Sequence, residues 1–219
     1  MNTIKKIISN KELRDIILSG QFDDSIQIKN TEHICKDGSV FDYSSITDMS
    51  WMFAGYSTLK TISLFDTSNV SNMEYMFFNC SSLTSIPLLD TSNVKLLNSM
   101  LEHCSSLTSI PLLNTSNVIF LDYTFCGCIS LTSIPSLDLS KCQSMEYTFF
   151  ECSSLTSTPF FYLNKKIIIK KIFEDCPLIS KYFRKSFSDW TDFCIKYEIN
   201  KFTRKYFEIN IKKELDAKQ

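Results

Sequence analysis

A chain of 219 residues, 44% apolar and 21% charged, is long enough to bury a core and too apolar to be a solvated tail. Its four glycines leave little for flexible linkers or a phosphate-cradling loop, and no apolar run reaches the roughly 18–20 residues that span a bilayer. The net charge of −1 divides into a neutral start (residues 1–40), a middle of −7 (41–160) and an end of +6 (161–219).

The opening stretch, MNTIKKIISNKELRDII, is basic but lacks the apolar core of a secretory signal. Residues 9–20, SNKELRDIILSG, predict a helix: Ser9 or Asn10 caps it, Leu13, Ile16 and Ile17 form its apolar stripe, and Gly20 ends it. Residues 25–30, SIQIKN, alternate like a strand. Residues 1–40 are therefore expected to form a cap over the middle of the chain.

From Phe41 to Cys176 the chain repeats itself every 24 residues without a gap. CSSLTSIPLLDTSNV (80–94) returns as CSSLTSIPLLNTSNV (104–118), with Asp90 replaced by Asn114 as the one difference. One phrase runs STLKTISL (57–64), SSLTSIPL (81–88), SSLTSIPL (105–112), ISLTSIPS (129–136) and SSLTSTPF (153–160). A second runs DYSSI (42–46), DTSNV (66–70), DTSNV (90–94), NTSNV (114–118) and DLSKC (138–142). A third runs DMSWMF (48–53), NMEYMF (72–77), LLNSML (96–101), LDYTF (121–125) and MEYTF (145–149). Such a period means stacked coils, because one coil cannot bury its apolar side alone.

Within a coil, Leu83, Ile86 and Leu88 fit the L-x-x-I-x-L spacing of an inward-facing strand, with Thr84, Ser85 and Pro87 on the outside. Pro87 has no N–H, so the strand should be short. D-T-S-N-V is a turn sequence whose side chains bond nearby backbone, with Val70, Val94 and Val118 turned inward. Met73, Met76, Phe77 and Cys80, spaced i, i+3, i+4, i+7, predict one face of a short helix capped by Ser71 or Asn72. The expected fold class is α/β: a leucine-rich-repeat solenoid of short parallel strands and short helices, with helical caps. Residues 41–176 supply five full coils and one degenerate coil. In the last, Ile169, Ile172, Phe173 and Cys176 keep the register while Lys165 and Lys166 replace the turn. Residues 177–219 are basic and aromatic, and are expected to form a mostly helical C-terminal cap.

Cys80, Cys104, Cys128, Cys152 and Cys176 stand one period apart. Stacking places such positions about 4.8 Å apart, within disulfide range, so buried thiols, disulfides and a metal set are three readings of the ladder. Parallel side chains and an odd total of nine cysteines favour buried thiols. Cys126-Gly127-Cys128 suggests a metal, but with only His33 and His103 in the chain no zinc spacing exists. His103 stands at a solvent-side position. No G-x-S-x-G motif is present, so neither an enzyme nor a cofactor is expected.

DTSNVSNMEYMFFNCSSLTSIPLL resembles the repeat of BspA-type leucine-rich-repeat surface proteins, above all the branch written DTSNVTNMSxMFxxCSSLTSL. The resemblance spans about residues 41–176. It implies a non-enzymatic role in adhesion or protein binding, in low-GC bacteria, their phages or protists. This chain differs in showing neither a secretory signal nor a wall or lipid anchor, so a cytoplasmic or assembly-associated location is expected before general secretion.

The expected mechanism is display of a stiff Thr/Ser/Pro strip to a protein partner. The strip comprises Lys60, Thr61, Ser63, Thr84, Ser85, Thr108, Ser109, Thr132, Ser133, Thr156 and Ser157. A structural block of a virion or larger assembly, packing through its caps and edges, is the alternative. Nucleic acid is not expected: the aromatic, lysine-rich end (Tyr182 to Lys185, Lys201 to Phe207) reads more simply as an amphipathic cap.

Overall fold

The computed structural model describes residues 4–6, 9–19, 32–34, 40–42, 44–62, 64–157, 161–163 and 166–180. The strand expected at 25–30, Ser63, Thr158, Lys165 and the segment 181–219 lie outside the described residues.

Near the N-terminus, β1 (Ile4–Lys6) runs parallel to β3 (Val40–Asp42), and β2 (Glu32–Ile34) runs antiparallel to β3 on its other side. Between β1 and β2 lies α1 (Asn10–Leu18). Of its two candidate caps the structure uses Ser9, whose Oγ accepts the Glu12 N–H at 3.3 Å. Leu13 and Ile16 are buried in the same apolar cluster as the first repeat. Arg14 fixes the contact: its Nη1 donates to the Met52 carbonyl at 3.5 Å and its guanidinium sits 5.7 Å from the Tyr56 ring centre.

The repeats form a stack. Asp48, Asn72, Leu96, Phe120, Ser144 and Ile168, one from each coil, pair in parallel with their neighbours. A short two-stranded ladder, β4 (Leu137–Leu139) beside β5 (Phe161–Leu163), adds a second seam. α2 (Pro177–Ser180) comes after the last coil and buries Ile179 in the common core.

The third phrase buries the residues expected of it, but not as a helix. Met73, Met76, Phe77 and Cys80 are fully buried. Yet Tyr75 and Asn79 have φ of 56° and 58°, a left-handed conformation that a helix cannot contain. The segment instead alternates its hydrogen bonds. Met73, Tyr75, Phe77 and Asn79 donate to the carbonyls of Leu96, Asn98, Met100 and Glu102 in the next coil at 3.0, 2.9, 2.9 and 2.8 Å. Met76, Phe78 and Cys80 turn back on Met73, Tyr75 and Phe77 at 3.3, 3.1 and 3.1 Å. A helix would keep its donors within its own coil; this ribbon commits half of them to stacking. Asn72 caps a turn rather than a helix, its Oδ1 accepting the Glu74 N–H at 2.9 Å.

Leu88 also departs from the expected pattern. Leu83 and Ile86 are buried as expected, but Leu88 is 64% exposed and Leu89 takes the inward place at 3%. The same holds for Leu112 and Leu113. Buried positions 83, 86 and 89 recur every third residue, the period of a polyproline-II path rather than of a pleated strand. Pro87, with φ fixed and no donor, suits that path.

The turn phrase behaves as its chemistry predicts. Asp66, Asp90 and Asp138 accept the N–H of the residue two on, at 2.8, 2.9 and 3.0 Å, and Asn114 does the same at 3.1 Å. Val70, Val94 and Val118 are buried, with Cys142 in the equivalent place.

Candidate partner-binding surface

Inside the stack the five ladder cysteines are buried thiols, each turned toward a carbonyl of the preceding coil. The Sγ of Cys80, Cys104, Cys128, Cys152 and Cys176 donates to Phe53, Phe77, Leu101, Phe125 and Phe149 at 3.0, 3.2, 3.1, 3.1 and 2.9 Å. Loss of water around them pushes the Cys80 thiol up to about 11 and Cys176 up to about 12, with Cys104, Cys128 and Cys152 raised as well. Such thiols are poor nucleophiles and poor ligands. Among the described residues no cluster of His, Cys, Asp or Glu has the arrangement of a metal site.

Beside the thiols runs a column of rings. Phe53 stacks on Phe77 with centres 5.3 Å apart, and Phe125, Phe149 and Phe173 stack at 5.4 and 5.2 Å. An outer column pairs Trp51 with Tyr75 at 4.1 Å and Tyr123 with Tyr147 at 4.8 Å. Both columns break at one coil, where Ser99 and Leu101 stand in place of rings. In that coil the His103 imidazole, edge-on to Phe78, lies over Gly127, where a Cβ would stand 2.3 Å from Nδ1.

The described members of the predicted strip, Lys60, Thr61, Thr84, Ser85, Thr108, Ser109, Thr132, Ser133, Thr156 and Ser157, are all exposed. The structure thus brings them to the surface in register, one pair per coil. The threonines have a further task. Thr84, Thr132 and Thr156 donate their hydroxyls to the carbonyls of Lys60, Thr108 and Thr132 at 3.1, 3.3 and 3.1 Å. Their protons therefore serve stacking, and it is oxygen lone pairs that face outward.

Sequence reasoning missed an apolar ladder next to this strip. Leu64, Leu88 and Leu112 are 49%, 64% and 65% exposed, and the ladder ends at Ser136. Below Leu88 and Leu112 opens a groove of about 640 Å³, also lined by Thr91, Thr115, Asp90 and Asp138. The Thr91 and Thr115 hydroxyls are buried without a hydrogen-bond partner. Their equivalent in the preceding coil, Thr67, donates to the Asp90 carbonyl at 2.9 Å. A count of apolar spacing by threes would have found the exposed leucines, since 83, 86 and 89 leave 88 outside.

No helix among the described residues is long and apolar enough to cross a membrane. Stacked 24-residue coils with an exposed repeated strip define a repeat protein. The family model described as "Mycoplasma protein of unknown function, DUF285" matches residues 18–110 and 82–190. The chain belongs to that family. Among curated proteins none matches the sequence. A solved structure, a leucine-rich repeat protein from Eubacterium ventriosum, is similar at 22% identity and a TM-score of 0.45 over 62% of this chain. The match spans 36% of that protein, so the chain accounts for about a third of its length.

Proposed function

We propose that the chain is a non-enzymatic protein-interaction module, a leucine-rich-repeat solenoid of the BspA type whose ends are closed by residues 1–40 and 177–219. Its working surface is the Thr/Ser strip, and its partner is an extended or repetitive protein. The observation that carries the reading is the return of Thr84-Ser85 as Thr108-Ser109, Thr132-Ser133 and Thr156-Ser157 at exposed positions. Stacking requires identity of buried positions, and the threonines in part, but not of exposed serines. Contacts too weak to matter singly add up when each coil supplies one.

The test replaces Ser85, Ser109 and Ser133 together by Lys. All three are exposed, so the fold should persist, and capture of the native partner should be lost. In the same experiment the change of Lys201 and Lys205 to Glu should only weaken capture. Loss with the second variant and retention with the first would move the function to the C-terminal segment and reduce the stack to a scaffold.

A further inference from the structure

We infer that the groove beneath Leu88 and Leu112 is a docking site for an extended, lysine- or arginine-bearing peptide segment with apolar side chains, supplied by a partner protein. The inference rests on the reading of the chain as an interaction module but places a contact on a different surface from the serine strip. Three observations converge on it. First, the two leucines are nearly two-thirds exposed, in a stack that buries almost every other large apolar side chain of these coils. A buried leucine contributes about 1.5–3 kcal/mol relative to an exposed one, so an exposed pair in register is an unused source of binding energy.

Second, Thr91 and Thr115 are 1% and 2% exposed, and their hydroxyls have no partner within the protein. A buried hydroxyl without a hydrogen bond is costly, and these two line the groove one coil apart. An extended peptide carries along its edge unpaired carbonyls and N–H groups, each able to bond such a hydroxyl once its side chain turns from its covered position toward the groove. The groove is open and crosses successive coils, as a strand-like ligand requires.

Third, the charge is of one sign. Asp90 and Asp138 line the groove, and none of its lining residues is Lys, Arg or His. Each carboxylate accepts one backbone N–H through Oδ1, from Ser92 and Ser140, which leaves Oδ2 for a cation. An acidic groove repels phosphate, which sets aside nucleic acids and anionic lipid, and attracts a basic segment.

The probe is a short fluorescein-labelled peptide of alternating lysine and leucine, titrated against the full chain by anisotropy. Two control peptides carry glutamate in place of lysine, or serine in place of leucine. Saturable binding of the first peptide and of neither control is expected, weakening by about ten-fold or more in L88S/L112S. D90N/D138N should lose most of the salt dependence while keeping its turns, since Asn114 forms the same turn naturally. T91V/T115V should weaken binding while leaving the protein folded. E151Q, at an exposed position outside the groove lining, should bind as wild type, which separates the groove's charge from that of the chain as a whole. Equal binding of the glutamate peptide, or indifference to L88S/L112S, overturns the proposal. So does a light-scattering mass that falls from dimer to monomer in L88S/L112S, because the occupant is then a second copy of the chain.

Discussion

Each coil has two sides that are held together differently. On the thiol side, from Met73 to Cys80, every second N–H crosses to the next coil, rings stack and each thiol bonds a carbonyl behind it. On the strip side, from Leu83 to Leu89, Thr84 alone donates a backbone N–H across coils among the described residues, to Lys60 at 3.0 Å. There Leu88 and Leu112 face solvent, and the Thr91 and Thr115 hydroxyls go unpaired. The difference amounts to a division of labour. One side carries most of the bonds that specify the stack, and the other, which carries fewer, is where a surface can be varied or used.

The largest effect should come from titrating the thiol side. Burial raises the thiols above their usual value of 9.0, with Cys80 near 11 and Cys126, Cys142 and Cys176 near 12. The unfolded chain therefore loses these protons first. Stability is intact below pH 9 and falls as pH rises from there toward the folded values, by about 1.4 kcal/mol per thiol per pH unit. Circular dichroism should show the fold lost between about pH 9 and 11. C104V should move that midpoint upward if thiols are responsible, and leave it unmoved if tyrosine or lysine titration is.

Next in size is F149A. Phe149 is stacked between Phe125 and Phe173 and is fully buried, so its truncation should cost about 3–5 kcal/mol in urea denaturation. Phe150, half-buried on the same ribbon, should cost less than half as much. Equal losses would erase the distinction between the inner column and the outer surface.

Gly127 tests the ribbon's backbone. Its φ is 70°, and an added Cβ meets the His103 ring. G127A should cost about 1–2 kcal/mol from the conformation alone, and more from the clash. Since His103, Glu151 and Asp175 hold φ of 59° in equivalent places, the conformation is tolerable without glycine. G127A in an H103A background should therefore escape the clash and keep the conformational cost, a coupling readable in a double-mutant cycle.

The period, the buried set and the turn chemistry were legible in the sequence because identical letters meet identical surroundings. Asp66 to Val70 needed nothing beyond its own side chains to be read as a turn. Two things were not legible. Trp51, Tyr75, Tyr123 and Tyr147 adopt positive φ, and no tyrosine or tryptophan announces that; the neighbouring coil imposes it through hydrogen bonds. The i, i+3, i+4, i+7 pattern was thus real in burial and mistaken in backbone. Leu88 and Leu89 are adjacent and chemically alike, so choosing the inward one needed the path of the chain, which Pro87 biases but does not dictate. The exposed strip was legible as a surface; the groove beside it arises only when coils stack.

The finest test of the two sides uses one substitution, threonine to valine, at two buried positions. Thr148, on the thiol side, shares its one hydroxyl proton between the carbonyls of Leu121 of the coil behind, at 3.0 Å, and Met145 of its own turn, at 2.7 Å. Thr91, on the strip side, has no partner. The two residues are equally hidden, so moving the hydroxyl out of water costs the same at both. T148V removes a satisfied hydroxyl and takes its donor from the Met145 carbonyl, while the Leu121 carbonyl keeps Thr124, and should destabilise by about 1 kcal/mol or more. T91V removes only an unsatisfied group and should stabilise by about 1 kcal/mol. T67V, which breaks the single bond to the Asp90 carbonyl, should fall between them. Opposite signs at Thr148 and Thr91 in chemical denaturation would establish that the strip side keeps polar groups ready for a partner. A loss at both would mean that the groove hydroxyls are already bonded in the free protein, and the contrast between the sides would then be one of degree.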